Sequence, residues 1–212
     1  MKAIALLSGG LDSVVSMLLA RETAEIVLAL TIDYGQKARI NEIKSSASFC
    51  SLYGIEHKVI QLPFMRDMKS GIIEASDLED SSPWVPNRNG LIINLAACYA
   101  ENLKVDWVIC GFNREEAADF PDNTREFVEA INRSLYYSTL NKVELRSFVQ
   151  NMDKQEIVAS AINLGVNFGL IWSCYRSGDK PCGECPSCLR NQKAYKKVGI
   201  DYDQDFNAGR SD

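Results

Sequence analysis

The chain has 212 residues, 46% of them hydrophobic and 24% charged, with a formal net charge of −5 and a pI of about 5.1. Such a chain is long enough for one well-cored domain and a small appendage, and its composition excludes a disordered protein. It gives no chain-wide electrostatic case for nucleic acid, although residues 174–197 carry six Lys or Arg against two acids. A local basic patch of that kind suits a small anionic ligand or a modest nucleic-acid contact. The last fifteen residues are acidic, with Asp201, Asp203, Asp205 and Asp212 against Arg210.

In chain order, Lys2–Leu7 reads as a short apolar strand, too short for a signal-peptide core. Asp12–Glu22 reads as a helix and Glu25–Asp33 as a continuous apolar strand. A helix is expected from about Lys37 to Tyr53 and a third strand over Glu56–Leu62. Residues 64–88, with Pro83 and Pro86, read as an irregular insertion. A helix over 90–103, a strand over Asp106–Phe112, a helix over Thr124–Tyr137, an extended stretch over Lys142–Phe148 and a helix over Asp153–Leu164 follow. Near-continuous apolar strands between helices predict an α/β fold, a doubly wound parallel sheet covered on both faces. The composition changes after Leu170, where four cysteines and two prolines crowd together. Residues 1–170 are therefore expected to form the α/β domain and 171–212 a small C-terminal lobe. The longest apolar stretch, Ile26–Ile32, cannot span a bilayer, so a cytoplasmic protein with no membrane contact is expected.

Ligands of open α/β sheets bind outside the carboxyl ends of the strands, and three constellations stand there. The first strand ends in Ser8-Gly9-Gly10-Leu11-Asp12-Ser13. Glycines let the backbone approach a phosphate, and N–H groups at a helix start supply positive potential. No Gly-Lys-Ser/Thr follows, so it is not a Walker loop, and the G-x-G-x-x-G spacing is absent. Asp12 either caps the helix or meets phosphates through Mg²⁺. The fourth strand ends in a loop with six polar or charged residues between Asn113 and Asp122, too many for packing alone, so recognition is expected. The third constellation is Cys174, Cys182, Cys185 and Cys188, at a spacing that closes a tetrahedral zinc site. An iron–sulfur cluster is the rival, but the ferredoxin-type run continues with a further Cys-Pro, whereas Asn191 and Gln192 follow here. Cys50, Cys98 and Cys110 read as buried structural thiols. His57, the single histidine, reads as a surface residue at a strand edge, which excludes Cys–His chemistry.

"SGGLDS" after a first strand resembles the PP-loop of ATP pyrophosphatases. Together with "DYGQK" (residues 33–37), "VPNRNG" (85–90), the Asn/acid/Pro-Asp loop and "WSCY" leading to the cysteine run, the chain from Met1 to about Val198 resembles the 7-cyano-7-deazaguanine synthase family of queuosine and archaeosine biosynthesis. The resemblance implies an adenine nucleotide alpha hydrolase-like fold, a cytoplasmic homodimer and two rounds of adenylation. ATP would activate the carboxylate of 7-carboxy-7-deazaguanine, ammonia would displace AMP, and a second ATP would convert the amide to the nitrile. It assigns Leu7, Ser8, Gly9, Gly10, Leu11, Asp12, Ser13, Arg88 and Asn89 to ATP, with Asp12 and Ser13 catalytic and Mg²⁺ accompanying the nucleotide. Asn113, Glu116, Asp122 and Trp172 fall to the substrate. A carboxylate suits the N–H edge of a guanine-like base, and Asp122 is the first choice, Glu116 the second. Many members carry Tyr-Pro-Asp-Cys-Arg where this chain has Phe120-Pro121-Asp122-Asn123-Thr124, and Arg125 or Arg114 is the expected substitute for the missing arginine. The chain leaves no room for a glutaminase domain, so ammonia is expected free or from a partner. A PP-loop tRNA thiolase, and a repurposed member that modifies or binds a protein partner, are the alternatives.

Overall fold

The computed structural model describes residues 1–74 and 83–200. Residues 75–82 of the expected insertion, and the part of the expected lobe beyond residue 200 with its acidic end, lie outside the described residues. Five parallel strands form one sheet in the order β3-β2-β1-β4-β5: β1 (Lys2–Leu6), β2 (Glu25–Asp33), β3 (His57–Gln61), β4 (Trp107–Cys110) and β5 (Glu144–Ser147). The central strands read as unbroken apolar runs because both of their faces are covered.

The helices are α1 (Leu11–Ala20), α2 (Arg39–Tyr53), α3 (Arg88–Asn102), α4 (Arg114–Ala117), α5 (Arg125–Ser138), α6 (Lys154–Asn163) and α7 (Pro186–Lys197). On one face Ala3, Ala5 and Ala29 pack with Val14 and Val15 of α1, Phe49 of α2 and Ile157 of α6. On the other face Ile4, Leu30 and Val108 meet Ile93 and Ala97 of α3 and Leu135 of α5. Alternate residues of β1 thus feed two cores, as the strand period of two requires. The expected elements all form. Their ends are set by caps: Thr124 Oγ1 accepts from Phe127 N at 3.1 Å, and Asp153 with Glu156 makes a reciprocal capping box.

Helix α7 is not foreseen from the sequence, because its apolar content is low and cysteines dominate the segment. Its Ala194 and Tyr195 join the first core. The strand order reverses between β1 and β4, which opens the crevice for a ligand at that point.

Candidate active site

A cavity of about 290 Å³ lies at the carboxyl ends of the central strands. Its floor is the loop after β1. Gly9 has φ +73°, and a Cβ there would stand 2.4 Å from Ser45 Oγ, so only glycine fits. Gly111, at the end of β4, touches the first turn of α1 so closely that a Cβ would fall 2.6 Å from Ser13 N. Ser13 Oγ donates to Gly10 O at 2.9 Å and accepts from Ser8 N at 3.3 Å, which ties the loop to the helix start. Gly10 is the N-cap of α1 and no side chain caps the helix. The capping role weighed for Asp12 is therefore corrected. Its carboxylate turns instead to Lys154.

Lys154 is 5% exposed, and its Nζ lies 2.5 Å from Asp12 Oδ2 and 3.9 Å from Glu116 Oε1. Arg190 Nη1 holds Glu116 Oε1 from the other side at 3.1 Å. Burial pushes the Glu116 carboxyl up, and Lys154 opposes that shift. Burial likewise works against the Lys154 charge, but Asp12 and Glu116 more than compensate. Asp12 Oδ1 is buried without a partner. An orphaned carboxylate oxygen beside a phosphate-type loop fits the oxygen-donor preference of Mg²⁺.

At the opposite end of the cavity Arg88 Nη1 donates to Tyr34 Oη at 3.1 Å, and Asn89 Nδ2 reaches Asp122 O at 3.5 Å. Burial raises the Asp122 carboxyl while Arg88 lowers it. Glu42 also faces this end. Gln36 accepts from Tyr34 N, donates to Ile32 O, and donates to Glu42 Oε2 at 2.7 Å. Burial carries Glu42 from 4.5 to about 7. The folded chain thus binds this proton more tightly than the unfolded chain, so Glu42 favours folding at low pH and that contribution is lost as pH rises through 7. Between pH 5 and 8 the loss should be on the order of 2–3 kcal/mol. Denaturant titrations across that range should show it, and Glu42→Gln should flatten the profile.

The four cysteine sulfurs of Cys174, Cys182, Cys185 and Cys188 lie within 4.8 Å of one another, with Cys182 and Cys188 Sγ 3.9 Å apart. Four thiolates at about 2.3 Å from one zinc stand about 3.8 Å apart, which matches this cage; a four-iron cluster interposes iron and sulfide and needs a wider one. Arg176 N and Cys182 N donate to Cys174 Sγ, and Cys185 N to Cys182 Sγ, at 3.3–3.4 Å. Such donors support metal-bound thiolates. Cys185 is the N-cap of α7, and hydrogen bonding from Cys174 and Cys188 drives its thiol far below the ordinary range.

The four-cysteine cage sits beside the loop. Trp172 N donates to Gly9 O at 2.9 Å, and Leu11 N donates to Ser173 Oγ at 3.2 Å. Trp172 itself is 2% exposed, packs on the cysteines, and donates from Nε1 to Arg176 O.

Of the expected site residues, Leu7, Ser8, Gly10, Asp12, Ser13, Arg88, Asn89, Glu116, Asp122 and Trp172 line the cavity. Gly9 and Leu11 back the loop from behind. Asn113 does not line it; its Oδ1 accepts from Glu116 N at 2.9 Å and so positions Glu116. Neither expected substitute arginine reaches the cavity. Arg114 pairs with Asp153 and Glu156, and Arg125 with Glu129. Arg190 of α7 meets the acidic loop instead. Cys98 is exposed, against expectation, because its helix turns that position outward. His57 starts the edge strand as expected but is half-buried. Thr31 Oγ1 gives its proton to Leu7 O, so His57 Nε2 donates to Thr31 at 2.8 Å.

A family model described as "Queuosine biosynthesis protein QueC" matches residues 2–199. The chain belongs to this family. A curated relative named 7-cyano-7-deazaguanine synthase, from Desulforudis audaxviator, is 46% identical over 94% of this chain and 98% of its own length. Another of the same name, from Carboxydothermus hydrogenoformans, is 48% identical over 91% and 97%. Among solved structures, a U34-tRNA thiolase from Methanococcus maripaludis with its [4Fe-4S] cluster has a TM-score of 0.53 at 18% identity, covering 96% of this chain and 66% of its own. A 4-thiouridine synthetase–RNA complex with bound ATP also reaches 0.53, at 16% identity over 98% of this chain and 53% of its own. Those two likenesses concern the fold. No helix among the described residues is long and apolar enough to cross a membrane.

Three charged residues in or beside the candidate site, Glu42 lining the cavity and Lys154 and Arg190 pairing with acids that line it, escape a reading of the sequence. Lys154 follows an N-cap, Arg190 lies in a basic run, and Glu42 sits in a polar helix. Each looks like a solvated charge in one dimension, and only the fold turns it inward.

Proposed function

We infer that the chain is an ATP-dependent nitrile-forming synthase, converting 7-carboxy-7-deazaguanine and ammonia to 7-cyano-7-deazaguanine with release of AMP and pyrophosphate. The observation that carries this reading is membership of the family over residues 2–199, together with a Walker-free glycine loop opening on a cavity lined by carboxylates. ATP lies with its phosphates over Ser8–Ser13, where loop amides and the α1 N-terminus favour negative charge. Mg²⁺, held by Asp12, would offset phosphate charge when bound. Lys154 and Arg190 do not line the cavity; they hold Asp12 and Glu116, which do, so their positive charge would act on the developing phosphate charge through those carboxylates.

The substrate carboxylate attacks the α-phosphorus and expels pyrophosphate; ammonia then displaces AMP to leave the amide. In the second round the amide oxygen attacks, and loss of AMP leaves the C≡N bond. Both carboxylate oxygens leave on AMP, and no water enters. Zinc held by Cys174, Cys182, Cys185 and Cys188 would have no part in these steps; Trp172 and Ser173 brace the loop from beside the cage. Assembly as a cytoplasmic homodimer belongs to the same reading and rests on the resemblance.

The test is incubation with 7-carboxy-7-deazaguanine, ATP, Mg²⁺ and ammonium. Mass analysis should find the nitrile, and chromatography should find AMP and pyrophosphate; ADP as the product would overturn the reading. Asp122 is proposed to accept N–H groups of the guanine-like edge. Asp122→Asn replaces an acceptor oxygen with a donor and leaves buried donors unpaired, at roughly 1–3 kcal/mol. Ten- to several-hundred-fold should be lost from kcat/KM for the deazaguanine, with ATP binding nearly unchanged. Equal efficiency in parent and variant would move the assignment to Glu116.

A further inference from the structure

Two aromatic rings in the cavity wall have no part in the chemistry so far. Trp84 and Phe120 lie with ring centroids 6.3 Å apart and planes within 9° of parallel, and both line the cavity. Trp84 is 39% exposed, so it is not a core residue. Each is anchored by its neighbours rather than by its ring. Val85, next to Trp84, is buried and its carbonyl accepts from Arg88 N at 3.2 Å. Phe120 N donates to Glu116 O at 2.9 Å, and Phe120 O accepts from Asn123 N at 3.1 Å. The rings are therefore held by their backbones, stacked on one another, while Trp84 keeps exposed surface toward the cavity.

We propose that Trp84 and Phe120 form the stacking wall that selects the planar bicyclic base of the substrate, with the Asp122 carboxylate at the edge of that base. Aromatic faces bind any flat heterocycle without reading its edge, so the wall alone selects planarity. The edge is read two residues further along the chain. Asp122 Oδ1 takes one hydrogen bond from Asn123 Nδ2 at 3.0 Å, and a carboxylate has room for several more donors. A guanine-like edge presents a ring N–H and an amine side by side, which two carboxylate oxygens accept together. Adenine presents one amine beside an acceptor nitrogen, and that nitrogen would face a carboxylate with no proton between them. The wall thus belongs to the deazaguanine, while ATP is held by its phosphates at the end of β1.

This assignment rests on the synthase reading, and the experiment separates the two. Trp84→Ala and Phe120→Ala should each raise KM for 7-carboxy-7-deazaguanine by about five- to a hundredfold, with KM for ATP within about twofold of the parent. Trp84→Phe and Phe120→Tyr, which keep a ring, should restore most of the loss. Trp172 lines the same cavity as Trp84 while Trp107 does not, so the deazaguanine should quench fluorescence from Trp84 with a remainder from Trp172. The quench should shrink markedly in Trp84→Phe while calorimetry still detects binding. An active parent with unchanged KM in both alanine variants, a rise in ATP KM instead, or a quench undiminished in Trp84→Phe would overturn the wall alone. A parent inert toward the deazaguanine would overturn the functional reading and the wall with it.

Discussion

Cys185→Ser should release the metal and lower ATP turnover, although Cys185 is not assigned to the nucleotide. Apparent free energies of structural zinc sites run to roughly 10–16 kcal/mol, comparable with the whole stability of a domain at about 5–15 kcal/mol. The variant replaces the ligand at the N-cap of α7, beside three sulfurs that then lose their counter-charge. Residues 171–200 should melt ahead of the α/β domain, which is the boundary proposed between the two parts of the chain. The effect reaches the phosphate loop because Trp172 N and Ser173 Oγ hold Gly9 O and Leu11 N. Elemental analysis should fall from about one zinc per chain in the parent to well below one, with a lower melting temperature and reduced AMP formation. Iron and a coloured protein would overturn the zinc assignment. Full turnover in a metal-free variant would remove the proposed brace.

Lys154→Met should cost both stability and activity. The substitution strips a cation that is 5% exposed from between Asp12 and Glu116 and leaves two carboxylates with less compensation. Breaking a buried pair from one side costs about 3–5 kcal/mol, which for a chain of this size is roughly 6–20 °C in Tm. Turnover should fall by about two to three orders of magnitude, the usual loss when one preorganised charge or donor is removed. Adding Asp12→Asn to Lys154→Met removes the uncompensated charge. The double variant should regain a large part of the stability by calorimetry and none of the turnover. Non-additivity is expected because the residues touch. Independent stability losses would show that the two charges are not coupled, and a single Lys154→Met variant as active as the parent would remove the pair from the catalytic site.

The sequence by itself determined the fold class and most of the element order. Apolar runs at β2 and β4 could only be strands covered on both faces, and Asp153 and Thr124 marked helix starts by the hydrogen bonds that their side chains can make. It also pointed to the glycine loop after β1 and to the convergence of the four cysteines, because both are built from residues close together in the chain. Gly9 is required by a local φ, and four cysteines within fifteen residues can converge with little help from the rest of the fold.

Tertiary structure decided what depends on distant partners. Asp12 was legible as an acid beside a phosphate loop, but only the packing of α6 against α1 brings Lys154 to it, 142 residues away. Arg190 reaches Glu116 only because α7 folds back across α6, and Trp84 faces Phe120 only because the chain before α3 runs alongside the loop after β4. Glu42 and Cys98 make the same point in opposite directions. Neither helix carries a hydrophobic stripe clean enough to tell which side faces in, so the sheet and its loops decide that the acid is drawn into the cavity and the thiol is left in water.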